Sequence, residues 1–137
     1  MESERLARAL ACAAKRRLAD NVIVLDLRGE SPLADFFVIA TASSTIHARA
    51  IAEEMLELRS GRAERPHHLE GLENGHWVLL DYVDVVVHIL LPDVRQYYGL
   101  ERLWGDAPRW SVEIDEEPEQ RSWHSPYEQD SNEGGIA

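Results

Sequence analysis

Residues 77–90, WVLLDYVDVVVHIL, decide the fold. Two β-rich runs meet at Val83-Asp84. A two-residue turn there pairs Tyr82 with Val85, Leu80 with Val87 and Val78 with Ile89. Side chains alternate along a strand, so Val78, Leu80, Tyr82, Val85, Val87 and Ile89 share one face, and that face is core. The other face carries Trp77, Leu79, Asp81, Val86, His88 and Leu90. It is too polar for a deep core, because an unpaired buried carboxylate or imidazole is costly. It is too apolar for plain solvated surface. Two readings fit. The face is a docking surface with an aromatic anchor, or a helix covers it and Asp81 pairs with His88. A primed turn needs positive φ at Val83, which a β-branched residue resists, so the turn type stays open.

Moving toward the C-terminus, Pro92 at a first helical position starts a helix to about Tyr98. Val94 and Tyr98 share a side and Tyr97 lies apart, so one tyrosine is expected to pack inward and the other outward. Leu100 to Trp104 forms a last turn, and Trp104 is either a lid on the core or an exposed anchor. From Ser111 onward Glu, Pro, Ser, Gln, Asn and Gly dominate and apolar periodicity ends, which predicts a disordered tail.

Toward the N-terminus, Thr41 to Ser44 turns into a helix with Ala48, Ile51, Ala52, Met55 and Leu58 as its buried stripe. Gly61 is its expected stop. Residues 64–70 are a weaker strand whose proline suits only an edge. Residues 35–40 form an almost wholly apolar strand, hence a central one covered on both faces. Residues 21–27 are another strand. Glu2 to about Asp20 is a helix with Leu6, Leu10, Ala13, Ala14 and Leu18 inward. The order α-β-β-α-β-β-β-α predicts an α/β domain over 1–110, with a mixed five-stranded sheet, flanking helices and an antiparallel 77–90 pair. Residues 111–137 form the acidic tail. The 137 residues support one domain.

The net charge of −11 is uneven. The tail holds eight acids against one base, while 1–110 holds 17 acids against 13 bases. An acidic body is a poor match for nucleic acid, where cations neutralising phosphate supply most of the binding. A protein partner with a basic surface suits it better. No apolar run approaches the roughly 18 residues that span a bilayer, and the charged N-terminus lacks a secretory pattern. A cytoplasmic protein is expected. Cys12 stands alone, which rules out an internal disulfide, and no motif supplies it with a base.

Catalytic patterns are sparse. Asp81 and Asp84 lie three apart across a turn, not two apart on one strand face, so they do not converge on one metal. His67 and His68 are adjacent and point to opposite sides of any strand. His76 and His88 sit at different heights and faces of the hairpin, and no zinc-ligand spacing is present. A Ser-His-Asp set can be drawn from Ser44, His47 and Asp35, yet Ser44 suits a helix cap and Asp35 suits a hydrogen-bonded sheet end. No cofactor and no metal are expected.

The segment 35–44, DFFVIATASS, with His47 just beyond, resembles the D-Y/F-F-V-I-x-T-G-x-S-S-x-H signature of the ribosomal silencing factor (Iojap-related) family. WVLLDYVDVVVH over 77–88 and YGLERLWGD over 98–106 are similar to its two other signatures, in the same order. The resemblance covers about residues 3–108. It departs at Ala42, where glycine is common, and at Val83, where the family turn usually has glycine. It implies a fold like that of nucleotidyltransferases, without the Gly-Ser turn and paired carboxylates of their catalytic site. It implies a translational repressor that is not an enzyme and takes no cofactor. Such a protein binds the large ribosomal subunit through protein fourteen of that subunit and sterically blocks joining of the small subunit when nutrients are scarce. It also implies a homodimer. The matched candidates for partner contact are Trp77, Leu79, Asp81, His88, Tyr98, Leu103 and Trp104, and Leu90 shares their hairpin face. On this reading Trp77→Ala and Asp81→Arg release the partner with the thermal midpoint nearly unchanged. The alternative is a nucleotide-handling enzyme of related fold.

Overall fold

The structure is a computed structural model and describes residues 2–58 and 65–112. The elements are α1 (Glu2–Arg16), β1 (Asp20–Asp26), β2 (Phe36–Thr41), α2 (Thr45–Leu56), β3 (His68–Glu70), β4 (Trp77–Asp81), β5 (Val85–Leu90), α3 (Pro92–Tyr98), α4 (Leu100–Leu103) and β6 (Arg109–Ser111). They build one sheet in the order β3-β4-β5-β2-β1-β6. β2 and β5 are parallel, and every other pair is antiparallel.

The sheet has six strands where the sequence predicted five. The sixth, β6, pairs Arg109, Trp110 and Ser111 with Leu25, Val24 and Ile23. Val112 is buried behind it. The expected tail boundary at 110/111 therefore falls inside a strand, and the rest of the expected tail, 113–137, lies outside the described residues. Three residues rich in Arg and Ser have too little alternation to announce a strand. What holds them is the open edge of β1 and the indole of Trp110, which stacks on Phe36 at 6.0 Å between ring centroids.

Alternation divides the core in two. Val22, Val24, Phe36, Val38, Ala40, Val78, Leu80, Val85, Val87 and Ile89 point to one face. There the alanine-rich side of α1 (Ala7, Ala11, Ala14) and the α2 stripe of Ala48, Ile51, Ala52 and Met55 cover them. Ile23, Leu25, Ile39 and Leu90 point to the other face, under Val94, Leu100, Trp104 and Ala107. β2 lies between β5 and β1 and is almost wholly buried, as a central strand should be. β3 is an edge strand, as expected of 64–70, but it is confined to His68–Glu70 and leaves Pro66 outside it; residue 64 lies outside the described residues.

Local chemistry sets the helix ends. Ser44 caps α2: its backbone is extended and its Oγ accepts from the His47 N–H at 3.0 Å. α2 stops at Leu56, before the expected Gly61, which lies outside the described residues. Leu58 packs against the core only in part. α1 ends at Arg16, and Leu18 is not part of its inward stripe. Ala19 N–H donates to Ala14 O and Leu18 N–H donates to Lys15 O, a double bond pattern that closes the helix with Leu18 at φ 64. Glycine usually fills that position, because a Cβ there crowds the carbonyl. Leu18 is 81% exposed.

Two leucine-to-glycine effects therefore oppose each other at Leu18: strain is relieved and unfolded-chain entropy grows. Relief dominates where no packing is lost, so Leu18→Gly is expected to raise stability by about 1 kcal/mol. The urea midpoint at unchanged slope measures it. A lower midpoint would mean that Leu18 is covered in solution by more than the neighbours it has among the described residues.

Candidate functional site: the aromatic face of the hairpin

The hairpin register is the predicted one. Val78 pairs with Ile89 and Leu80 with Val87, and Tyr82 N–H donates to Val85 O at 2.8 Å. All six side chains of the predicted core face are buried. Val83 does take the positive φ that its branching resists, at 76°. Asp81 holds it there: its Oδ1 accepts from the Val83 N–H at 2.8 Å.

The opposite face is neither reading in pure form. His88 is 5% exposed and Leu90 is fully buried, so neither presents a contact surface, and both are corrections to the candidate set. The cause is cover from the strand alongside and the helices beyond it. Phe37 of β2 lies 4.7 Å from the His88 ring, and Val94, Leu100 and Trp104 close over Leu90. The Asp81–His88 pairing also fails. His88 Nδ1 instead accepts from the Trp77 indole Nε1 at 3.1 Å. That bond places the ring proton on His88 Nε2, which is buried with no partner among the described residues. Burial pushes the imidazole down to about 4, against a smaller opposing pull from the Asp81 carboxylate.

The rings form a continuous chain. Tyr97 meets Tyr98 edge-on at 4.9 Å, and Tyr98 meets Trp77 at 4.9 Å. Trp77 touches His88 at 5.9 Å, His88 touches Phe37, and Phe37 meets Trp104 edge-on at 6.3 Å. His88 within it is sealed, Trp77, Phe37 and Trp104 are half-buried, and the tyrosine end is open. Tyr97 is 78% exposed, Tyr98 53% and the neighbouring Leu103 70%. Neither tyrosine packs inward; Tyr98 meets Trp77 at a tilt of 51° and is half covered, and Tyr97 is the more exposed. Trp77, Leu79, Asp81 and Trp104 are half-buried. Across the β3–β4 pair, Glu70 faces Leu79 and His68 faces Asp81, which sets a polar border beside the rings.

Arg95 sets the position of this assembly, and nothing in the sequence reading picked it out. It is buried, and its Nη1 donates to Asn21 O at 2.7 Å and to Thr41 Oγ1 at 2.8 Å. Its Nε donates to Glu101 Oε2 at 3.2 Å. One side chain thus ties α3 to the ends of β1 and β2 and to α4. Gly99, at φ 57, turns the chain between the two helices.

The other sequence candidates have structural partners. Asp35 accepts from Ser3 Oγ at 2.9 Å. His47 Nδ1 accepts from Ser43 N–H at 2.9 Å, and its Nε2 lies 2.6 Å from Arg17 O. The Ser44, His47 and Asp35 side chains are thus engaged separately. Among the described residues no three His, Cys, Asp or Glu side chains gather as a metal site. Among the described residues, too, no helix is long and apolar enough to cross a membrane.

Fold and surface together define a mixed α/β domain with an aromatic face built on one hairpin and one short helix. The family described as ribosomal silencing factor during starvation matches residues 1–135. The chain belongs to the ribosomal silencing factor family. It is 39% identical over 113 residues to the ribosomal silencing factor of Halalkalibacterium halodurans, covering 82% of this chain and 97% of that protein. It is 42% identical over 100 residues to that of Bacillus subtilis, covering 73% and 83%. Maize chloroplastic Iojap is 37% identical over 98 residues, 72% of this chain and 42% of that protein. A crystal structure of a Chromobacterium violaceum protein superposes with a TM-score of 0.72 at 33% identity, covering 77% of this chain and 88% of that one.

The His88 environment predicts a pH dependence. Its folded-state value lies below the ordinary 6.5, so the unfolded chain takes up a proton first as pH falls. The stabilising contribution is full above about 6.5 and drains away toward about 4. Between pH 7 and pH 5 the loss from this residue is about 2 kcal/mol. His88→Gln keeps an acceptor for the indole and is expected to lack that part of the slope in urea unfolding. Equal slopes for both proteins would show that His88 is solvated.

Proposed function

We propose that the chain is a translational repressor that docks on the large ribosomal subunit, through protein fourteen of that subunit, and sterically blocks joining of the small subunit under nutrient limitation. The supporting observation is the ring chain: a fixed aromatic centre with one exposed end at Tyr97 and Tyr98, the exposed Leu103 beside it and a charged border. Interfaces are anchored by such aromatics inside a polar rim. The names of the bacterial relatives support the ribosomal role. The reading needs no chemical step and no cofactor. It places the protein in the cytoplasm with its target, as a homodimer when free. The nucleotidyltransferase-like topology belongs to the same resemblance, and the described carboxylates offer that chemistry no clustered metal site.

A second reading concerns assembly. A mouse relative, 29% identical over 89 residues, is named for mitochondrial assembly of the ribosomal large subunit. Binding to that subunit serves both readings, and only the joining assay separates them.

The contact set is Tyr98, Leu103, Trp104, Trp77, Leu79 and Asp81, with His88 and Leu90 as buried support. Trp77→Ala and Asp81→Arg are poor probes, because they also strip the His88 acceptor and the Val83 N–H of their partners. Tyr98→Ala and Leu103→Asp alter residues that are 53% and 70% exposed. Each is expected to weaken co-sedimentation with purified large subunits about tenfold or more, with a thermal midpoint close to the parent's. Leu33→Asp, at a site 77% exposed in the loop between β1 and β2 and outside the contact set, is the control and should bind normally. Wild-type chain should also reduce subunit joining, and the two variants should not. Full binding by both variants would remove this face as the docking surface.

A further inference from the structure

The pairing of β6 with β1 fixes the direction in which the chain runs up to Val112. Ser111 faces Ile23, and Val112 N–H donates to Val22 O at 3.2 Å. At Val112 the chain is therefore running toward the Asp20 end of β1. α1 runs the same way on the adjoining face. Ser3 at its start is tied to Asp35, and the Arg8 guanidinium carbon lies 4.6 Å from the centre of the Trp110 ring. From Arg8 to Arg16 the helix advances about 12 Å. An extended chain covers that distance in about four residues. About four residues beyond Trp110 are therefore enough to reach the end of α1.

That end is basic and apolar. Lys15, Arg16 and Arg17 follow one another. Glu54 serves two of them, at 3.2 Å from Arg16 and 3.9 Å from Arg17. Helix-end carbonyls favour cations here, and Glu54 is shared between two of the three. Beside the cations stand Leu18, 81% exposed, and Ile46, 71% exposed. The bond between His47 Nε2 and Arg17 O brings their two segments together. Residues 113–119 read EIDEEPE: five carboxylates, one isoleucine and no cation.

We propose that the acidic run 113–119 docks on the corner formed by Lys15, Arg16, Arg17, Leu18 and Ile46 of its own chain. The corner recognises an acidic peptide with an apolar side chain, and the covalently tethered run holds it at high effective concentration. Docking brings carboxylates to these cations and shields the two exposed aliphatic side chains. The contact is electrostatic at an exposed site, so salt weakens it. It lies apart from the ring chain and does not rest on the ribosomal reading.

Lys15 is the only lysine of the sequence, which makes the test direct on the full, unaltered chain. A carbodiimide joins an amine to a carboxylate without a spacer, and mass spectrometry of the digest locates the bond. At low salt the main product of Lys15 is expected to join it to a carboxylate of 113–119. In an equal mixture of nitrogen-15-labelled and unlabelled protein, both halves should come from one molecule. The yield should fall several-fold in about 0.5 M salt. Arg17→Glu should lower it similarly with an unchanged circular dichroism spectrum. Lys15 joined only to body carboxylates such as Glu54 would overturn the proposal. So would mixed-isotope products, which assign the run to a second copy, or a yield indifferent to salt and to Arg17→Glu.

Discussion

A slip of one residue between β4 and β5 would exchange the two faces of the hairpin, and the structure depends on that slip not happening. The rungs Val78–Ile89 and Leu80–Val87 are fully buried under α1 and α2. Slipping β4 would carry Trp77, Leu79 and Asp81 into that layer. A carboxylate there would lose water without gaining a partner, a cost of several kcal/mol. The turn itself does little to enforce the register. Val83 occupies a left-handed conformation that glycine would adopt without strain, and one bond from Asp81 keeps it in place. Burial sets the pairing, and the turn follows at some local cost. Leu18 shows the same order of priorities at the end of α1.

The aromatic face follows from that register and from the lengths of the helices. Fixing the register commits Trp77, Leu79 and Asp81 to the side away from α1 and α2. The cover available there is α3, of seven residues, and α4, of four. A seven-residue helix is about 10 Å long, whereas six strands span about 24 Å. Arg95 draws that short cover toward the ends of β1 and β2. The ring chain marks the margin, with His88 and Leu90 inside it and the tyrosines at the open end.

Alternation made the hairpin legible, because six side chains of one parity are apolar and the turn is short. The sequence predicted a mixed sheet but did not assign the parallel neighbour of β2, which is β5 and not the next strand along the chain. The Ser44 cap was visible as a serine at the edge of an apolar stripe. What sequence reasoning missed depended on partners far along the chain. β6 exists because β1 has a free edge 84 to 88 residues earlier in sequence, as its pairings of Ser111 with Ile23 and Arg109 with Leu25 show. Arg95 looked like one more charged residue on a short helix. Its role comes from a carbonyl 74 residues away and a hydroxyl 54 residues away. His88 was wrongly placed at the surface because parity tells which face a side chain takes and not what lies above it.

That difference between parity and cover also explains why the centre and ends of the ring chain are built differently. The indole of Trp77 is fixed by its bond to His88 and by contact with Tyr98. A neutral imidazole is required for that bond, since a protonated ring has no acceptor to offer. Burial keeps it neutral near pH 7. A side chain already held in place loses little further freedom on binding, so its contact area converts to affinity more fully. Tyr97 and Leu103 remain exposed and must be ordered by whatever covers them. On the proposed reading, a rigid indole centre sets the geometry of docking while the outer residues adjust to the partner. An orphaned Nε2–H on His88 and a turn strained at Val83 are tolerable in such a design because both lie behind or beside the surface they shape.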